Sequence, residues 1–271
     1  LIEPKKENVI KRDSLLNPID YKGKTVITNP PYLAKGNTKE FAEIFEKYNT
    51  DDLYKASILS IIGCKDGILI IPINFFADRN TEGIRKKFLS RYKVEYVNIF
   101  SKPVFENTTY NVCSFYFCEG KTSNVTFYNV DENKAFQTTL EEKYGYRLGG
   151  EFYNKFQNIK PIFSRVRKAT DKYITNIYLT ALDKRKERIN LSYNEKTYIG
   201  KASDRIFATL TCEKELSEEQ QKLLIKKFNT FLNKERDKYN NLILTNYRDY
   251  GRKRIGLVDA YKILTFLIDK A

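Results

Sequence analysis

A β-branched run, Thr25-Val26-Ile27-Thr28, halts at Asn29-Pro30-Pro31. Proline offers no N–H to a ladder and restricts the residue before it, so a strand must stop there. Phe41, Ile44, Phe45 and Tyr48 then recur at helical spacing, and residues 53–62 predict a second helix ending near Gly63. Asp66-Gly67 reads as a turn before Ile68-Leu69-Ile70-Ile71-Pro72-Ile73, an unbroken apolar run of the kind buried on both faces of a sheet. A basic helix over 81–91, a strand over 94–99, a loop carrying Phe105 and a strand from Asn111 to Phe117 complete the pattern. Strands alternating with helices predict an α/β sheet.

The pattern changes near Gly149-Gly150, and the chain is divided at 1–150 and 151–271. The second part is less regular and ends in helices. Ser217-Glu218-Glu219-Gln220 fits a capping box, and Leu224, Phe228, Phe231 and Leu232 lie on one face behind it. A mixed α+β domain is expected there. Charge sharpens the division. Residues 1–150 hold 22 Lys+Arg against 19 Asp+Glu, whereas residues 151–271 hold 26 against 15. A net of +3 followed by a net of +11 points to a polyanion as partner of the second part.

With 41% hydrophobic and 30% charged residues, the chain can build a core and is not disordered. No apolar run approaches a membrane span, and no signal peptide is visible. Cys64, Cys113, Cys118 and Cys212 lack any paired spacing and read as buried thiols of a reducing cytoplasm. Histidine is absent, which excludes a Ser-His-Asp triad, a Cys-His pair and a His-ligated metal. Methionine is absent too, so the sequence is expected either to lack its natural N-terminus or to have lost modified methionines.

The chemical signal is Asn29-Pro30-Pro31-Tyr32, directly after a strand. An exocyclic amine conjugated to a ring is a poor nucleophile. Accepting hydrogen bonds from both of its N–H groups makes the nitrogen more pyramidal and more reactive. The Asn29 side-chain oxygen can accept one, and the Pro30 carbonyl, its direction fixed by two prolines, the other. Tyr32 adds an aromatic face on which a base lifted out of a duplex can stack. No histidine base is needed, because the proton can leave after alkylation. A strand end is also where ligands sit in open α/β sheets.

With these residues the chain resembles the γ-type amino-methyltransferases of restriction–modification systems over about residues 1–118. The resemblance implies a Rossmann-like methyltransferase sheet, S-adenosylmethionine as methyl donor, and N6 of a flipped adenine in double-stranded DNA as acceptor. It implies roles for further residues. Asp13, sixteen positions before Asn29, would accept from the cofactor's adenine amine. Asn29 would lie beside the cofactor. Phe105 would stack on the other face of the base. Asp52 to Ser57 resembles the helix after the catalytic loop, and Gly67 to Phe76 the next strand. Leu1-Ile2-Glu3-Pro4 resembles the tail of a strand whose acid binds the cofactor ribose, the acid being Glu3 or a residue just upstream.

One departure stands out. The family's glycine-rich cofactor loop is missing, since Gly145, Gly149, Gly150, Gly251 and Gly256 have the wrong spacing; it is expected before Leu1. DNA reading is expected of three basic clusters: Arg165, Arg167 and Lys168; Lys184 and Arg185; and Arg248, Arg252, Lys253 and Arg254. A cognate restriction endonuclease is the implied partner. The competing readings are methylation of cytosine N4 or of a protein glutamine, and an inactive DNA-binding fragment.

Overall fold

The computed structural model describes residues 10–106, 110–183, 188–246 and 252–268. Two compact units emerge: Leu1–Ser101 with Val112–Tyr146, and Lys102–Asn111 with Arg147–Ala271.

The first unit is built on a seven-stranded mixed sheet. Its strands are β1 (Thr25–Thr28), β2 (Asp66–Pro72), β3 (Tyr92–Lys93), β4 (Tyr96–Phe100), β5 (Val112–Glu119), β6 (Asn124–Asn129) and β7 (Lys134–Thr139). They run in the order β1-β2-β5-β4-β6-β7, with β3 on β5. β1 and β2 are parallel, as are β4 and β6, while β5 runs antiparallel to both β2 and β4. Helices α1 (Ala42–Tyr48) and α2 (Leu53–Ser60) make the crossover from β1 to β2, and α3 (Asn74–Ala77) and α4 (Glu82–Leu89) lead on from β2. The α/β class with a Rossmann-like sheet is therefore observed.

Two local expectations need correction. Asp66-Gly67 is no turn: both residues lie in β2, paired with Thr25 and Val26 on one side and with Cys118 and Phe117 on the other. The reversal falls earlier, where the Cys64 N–H donates to the Ile61 carbonyl. Nor is β2 covered on both faces. Leu69 and Ile71 are fully buried, but Ile68 is 39% exposed. Ile68 pairs with Ile27 and with Tyr116, which are 73% and 54% exposed, so the three form one bare apolar row across the sheet.

The covered face holds the core. Phe75, Phe88 and Phe117 pack edge-on through Phe88, and Phe76 meets Phe115 and Phe127. The Arg85 guanidinium is buried among them and donates to the carbonyls of Phe75 (2.8 Å), Asp78 (2.9 Å) and Gly145 (2.7 Å). It thereby staples the segment after β2 to the end of the unit.

Gly67 shows how tightly β1 is held. A Cβ there would stand 2.1 Å from the Val26 carbonyl oxygen and 2.9 Å from the Phe117 ring. Neither backbone nor a fully buried ring can yield. Gly67→Ala is expected to cost about 3 kcal/mol or more of stability, the upper range for overpacking. A melting temperature unchanged within about 2 °C, followed by circular dichroism, would contradict this packing.

The second unit carries a sheet whose strands are not visible in the sequence pattern. β8 (Phe163–Arg165), β9 (Ile174–Thr180), β10 (Asn190–Tyr193) and β11 (Phe207–Cys212) run antiparallel in the order β10-β9-β11-β8. The short helix α5 (Gly150–Asn154) precedes it; a hairpin of β12 (Thr245–Asn246) and β13 (Lys253–Arg254) and helix α7 (Leu257–Ile268) follow the long helix α6 (Glu218–Lys238). α6 packs on β9 and β10, and α7 on β8 and α6. The capping box forms as expected, with Gln220 N–H donating to Ser217 Oγ and Ser217 N–H to Gln220 Oε1. Leu224, Phe228 and Leu232 are buried as expected.

Candidate active site

The Asn-Pro-Pro-Tyr loop leaves the C-terminal end of β1. Its continuation is zipped to the start of α2: Leu53 N–H donates to the Leu33 carbonyl (3.1 Å) and Lys35 N–H to the Asp51 carbonyl (2.8 Å). Asp52 caps α2 by accepting from the Tyr54 N–H. Pro30 is buried, whereas Asn29 stays exposed at the strand end.

Tyr32 is half-buried and turned onto the protein. Its hydroxyl oxygen lies 2.6 Å from Asn29 Oδ1 and 2.9 Å from the Ile70 carbonyl of β2. The ring meets Tyr54 edge-on, with centroids 6.5 Å apart at 83°. Burial pushes the Tyr32 phenol well above its usual range, with Cys113 adding to the effect, so the hydroxyl keeps its proton at any working pH.

Asp13 sits in the turn that precedes β1. Its Oδ1 accepts from the N–H groups of Leu15 and Leu16, both at 2.9 Å, and its carbonyl accepts from Asn17 N–H. α1 fixes that turn, since Lys47 Nζ donates to the Leu15 and Leu16 carbonyls and Tyr48 Oη to Leu15. The second carboxylate oxygen of Asp13 has no hydrogen bond among the described residues. That acceptor fits one end of the expected cofactor. Among the glycines of this unit, a Cβ on Gly67 would meet Val26 and one on Gly145 would meet Glu82, whereas Gly36, in the turn that follows the loop, stands in open space. Glu3 lies outside the described residues.

The structure therefore joins Asn29 to Tyr32 and keeps Asp13 in the same unit. Phe105 is half-buried in the 102–111 segment, which belongs to the second unit. The Ile70 carbonyl went unforeseen, because a backbone acceptor leaves no signal in residue type.

Among the basic positions, Arg167 and Lys168 are exposed. Arg165 is not a free surface cation: its guanidinium donates to the carbonyls of Asp204 and Ala202, both at 2.7 Å. Arg252, Lys253 and Arg254 are half-buried at the β13 stem, while Lys184, Arg185 and Arg248 lie outside the described residues. An unforeseen pair organises this region. Arg236 reaches Asp183 with a two-pronged contact, at 3.0 Å and 2.6 Å, and donates through Nε to Asn241 Oδ1 at 2.8 Å. Asp183 also accepts from Ile189 N–H and donates its own N–H to the Lys253 carbonyl.

Among the described residues no helix is long and apolar enough to cross a membrane, and no group of His, Cys, Asp or Glu could hold a metal ion. All four cysteines are free thiols, three of them buried.

A mixed Rossmann-like sheet that ends a strand on this loop defines a class of amino-methyltransferase folds. The chain belongs to the N-6 DNA Methylase family, whose model matches residues 2–144. It is 29% identical over 136 residues to the type II methyltransferase M.HincII of Haemophilus influenzae, covering 45% of this chain and 27% of that protein. The match to M.HindII, also of Haemophilus influenzae, is 29% over 136 residues and covers 26% of it. The chain thus spans about a quarter of the length of these relatives. Solved structures with similarity include a modification subunit of a putative type I restriction enzyme from Vibrio vulnificus YJ016, at 14% identity and a TM-score of 0.38, covering 45% of this chain and 34% of that one. The M protein of the type I restriction enzyme EcoKI aligns at 16% identity and a TM-score of 0.33, covering 40% of this chain and 25% of that one.

Proposed function

We propose that the protein carrying this chain transfers a methyl group from S-adenosylmethionine to N6 of an adenine flipped out of double-stranded DNA. The observation that carries the reading is the exposed Asn29 carboxamide at the end of β1, seated on Tyr32 within an N-6 DNA Methylase chain. When bound, the cofactor supplies an electrophilic methyl group. The chain's own part is to accept the amine's hydrogens through Asn29 and the Pro30 carbonyl and to hold the base by its aromatic residues. Asp13 is the acceptor offered to the cofactor's adenine amine. Tyr32, and Phe105 from the 102–111 segment, are the proposed stacking partners.

The second unit, residues 147 onward with 102–111, is proposed to read the DNA. Exposed Arg167 and Lys168 suit phosphate contacts that fix register, as do the basic β13 stem and the Lys184–Arg185 and Arg248 clusters. A restriction endonuclease reading the same target is the corresponding partner, and the cytoplasm the corresponding compartment.

The test is product analysis. Full-length protein, labelled cofactor and duplex DNA are incubated, and the DNA is digested to nucleosides. Label in N6-methyl-2′-deoxyadenosine is expected. Label in N4-methylcytosine would reverse the choice of base, and label confined to a protein acceptor would remove DNA as substrate.

A further inference from the structure

The Tyr32 hydroxyl stands 2.6 Å from one end of the Asn29 carboxamide and 2.9 Å from the Ile70 carbonyl oxygen. A phenol has one proton to donate and lone pairs with which to accept. If both neighbours were oxygens, one of the two contacts would press oxygen on oxygen with no hydrogen between them. The Ile70 carbonyl can only accept. The two ends of a carboxamide have the same shape, and the hydrogen-bond network decides which end faces which neighbour. Both of these contacts become hydrogen bonds when Tyr32 O–H donates to Ile70 and Asn29 Nδ2–H donates to the Tyr32 oxygen.

This arrangement has a chemical consequence. With the Asn29 oxygen held by Tyr32, the exposed end of the amide would be its NH2, a donor facing an amine that also donates. With the amide turned, the exposed end is the oxygen, which is the acceptor the amine requires. We infer that Tyr32 is, through its hydroxyl, the positioning residue that sets the polarity of Asn29, relaying from the Ile70 carbonyl of β2 to the acceptor at the reacting amine. The inference rests on the reading of Asn29 as acceptor for the methylated amine, and it adds to the ring of Tyr32 a second duty, separable from stacking. The half-buried phenol keeps its proton, as such a relay needs.

Tyr32→Phe removes the hydroxyl and keeps the ring. In the full-length protein its single-turnover methyl transfer is expected to fall about five- to tenfold, the worth of one net hydrogen bond. The fluorescence of 2-aminopurine at the target position, which reports base flipping, should be unchanged. A wild-type rate would overturn the inference, and so would a loss matched by reduced fluorescence, which would assign the effect to stacking. A second arm does not depend on turnover. In nitrogen-15 spectra, one Asn29 side-chain NH2 proton should be protected from exchange and shifted downfield in the wild type and normal in Tyr32→Phe. Identical Asn29 signals in the two proteins would overturn the inference even if no methyl transfer is found. Failure of the methyltransferase reading itself would show differently, as a wild-type protein that transfers nothing to adenine.

Discussion

Asn29→Ala is expected to lower single-turnover methyl transfer at least about a hundredfold, the scale for removing one preorganised hydrogen-bonding group from a reacting centre. Asn29 is exposed at the end of β1, so its truncation opens no cavity. Its side-chain partner among the described residues is Tyr32, which keeps its contact with the Ile70 carbonyl and its packing on Tyr54. Alanine cannot accept the amine's hydrogen, and nothing else about the loop need change. DNA affinity, followed by fluorescence anisotropy, should therefore move less than about threefold, placing the loss in the chemical step. An Asn29→Ala protein that methylates at the wild-type rate would remove the mechanism. One that loses DNA binding in proportion would instead place Asn29 in recognition.

Arg236→Ala should give the largest loss of stability. Arg236 is 2% exposed, and its side chain forks onto Asp183, itself largely shielded, while Nε holds Asn241. Deleting the cation strands a carboxylate in a poorly solvated place. Breaking a buried pair from one side costs about 3–5 kcal/mol, because the remaining charge keeps its desolvation penalty without its partner. Denaturant unfolding followed by circular dichroism should show that loss as a lower midpoint. The double change Arg236→Met with Asp183→Leu should recover much of it, since two apolar groups strand no charge. A single-variant loss below about 1 kcal/mol would mean that the pair is well hydrated after all.

What could be read from the sequence, and what could not, follows from range. β1 was legible because Pro30 and Pro31 must end a strand, and the α6 cap because Ser217 and Gln220 answer each other within one turn. Asp66-Gly67 looked like a turn because turn propensity is local, whereas two neighbouring strands hold those residues extended. β9 was less legible although Thr175, Ile177 and Leu179 alternate as a half-buried strand should, because Asn176 and the threonines dilute its apolar signal. The Asp183–Arg236 fork joins residues 53 positions apart and leaves no trace in spacing. At the candidate site the place of the loop at the end of β1 was legible. The orientation of Asn29 was not, because it depends on the backbone oxygen of Ile70, which every residue type carries.

The bare row of Ile27, Ile68 and Tyr116 has a practical side. Contiguous apolar surface of this kind is what solvatochromic dyes report, whether or not a protein has begun to melt. Such a dye will brighten on the native chain at room temperature, and a high starting signal is then a property of the folded sheet rather than a sign of a molten preparation.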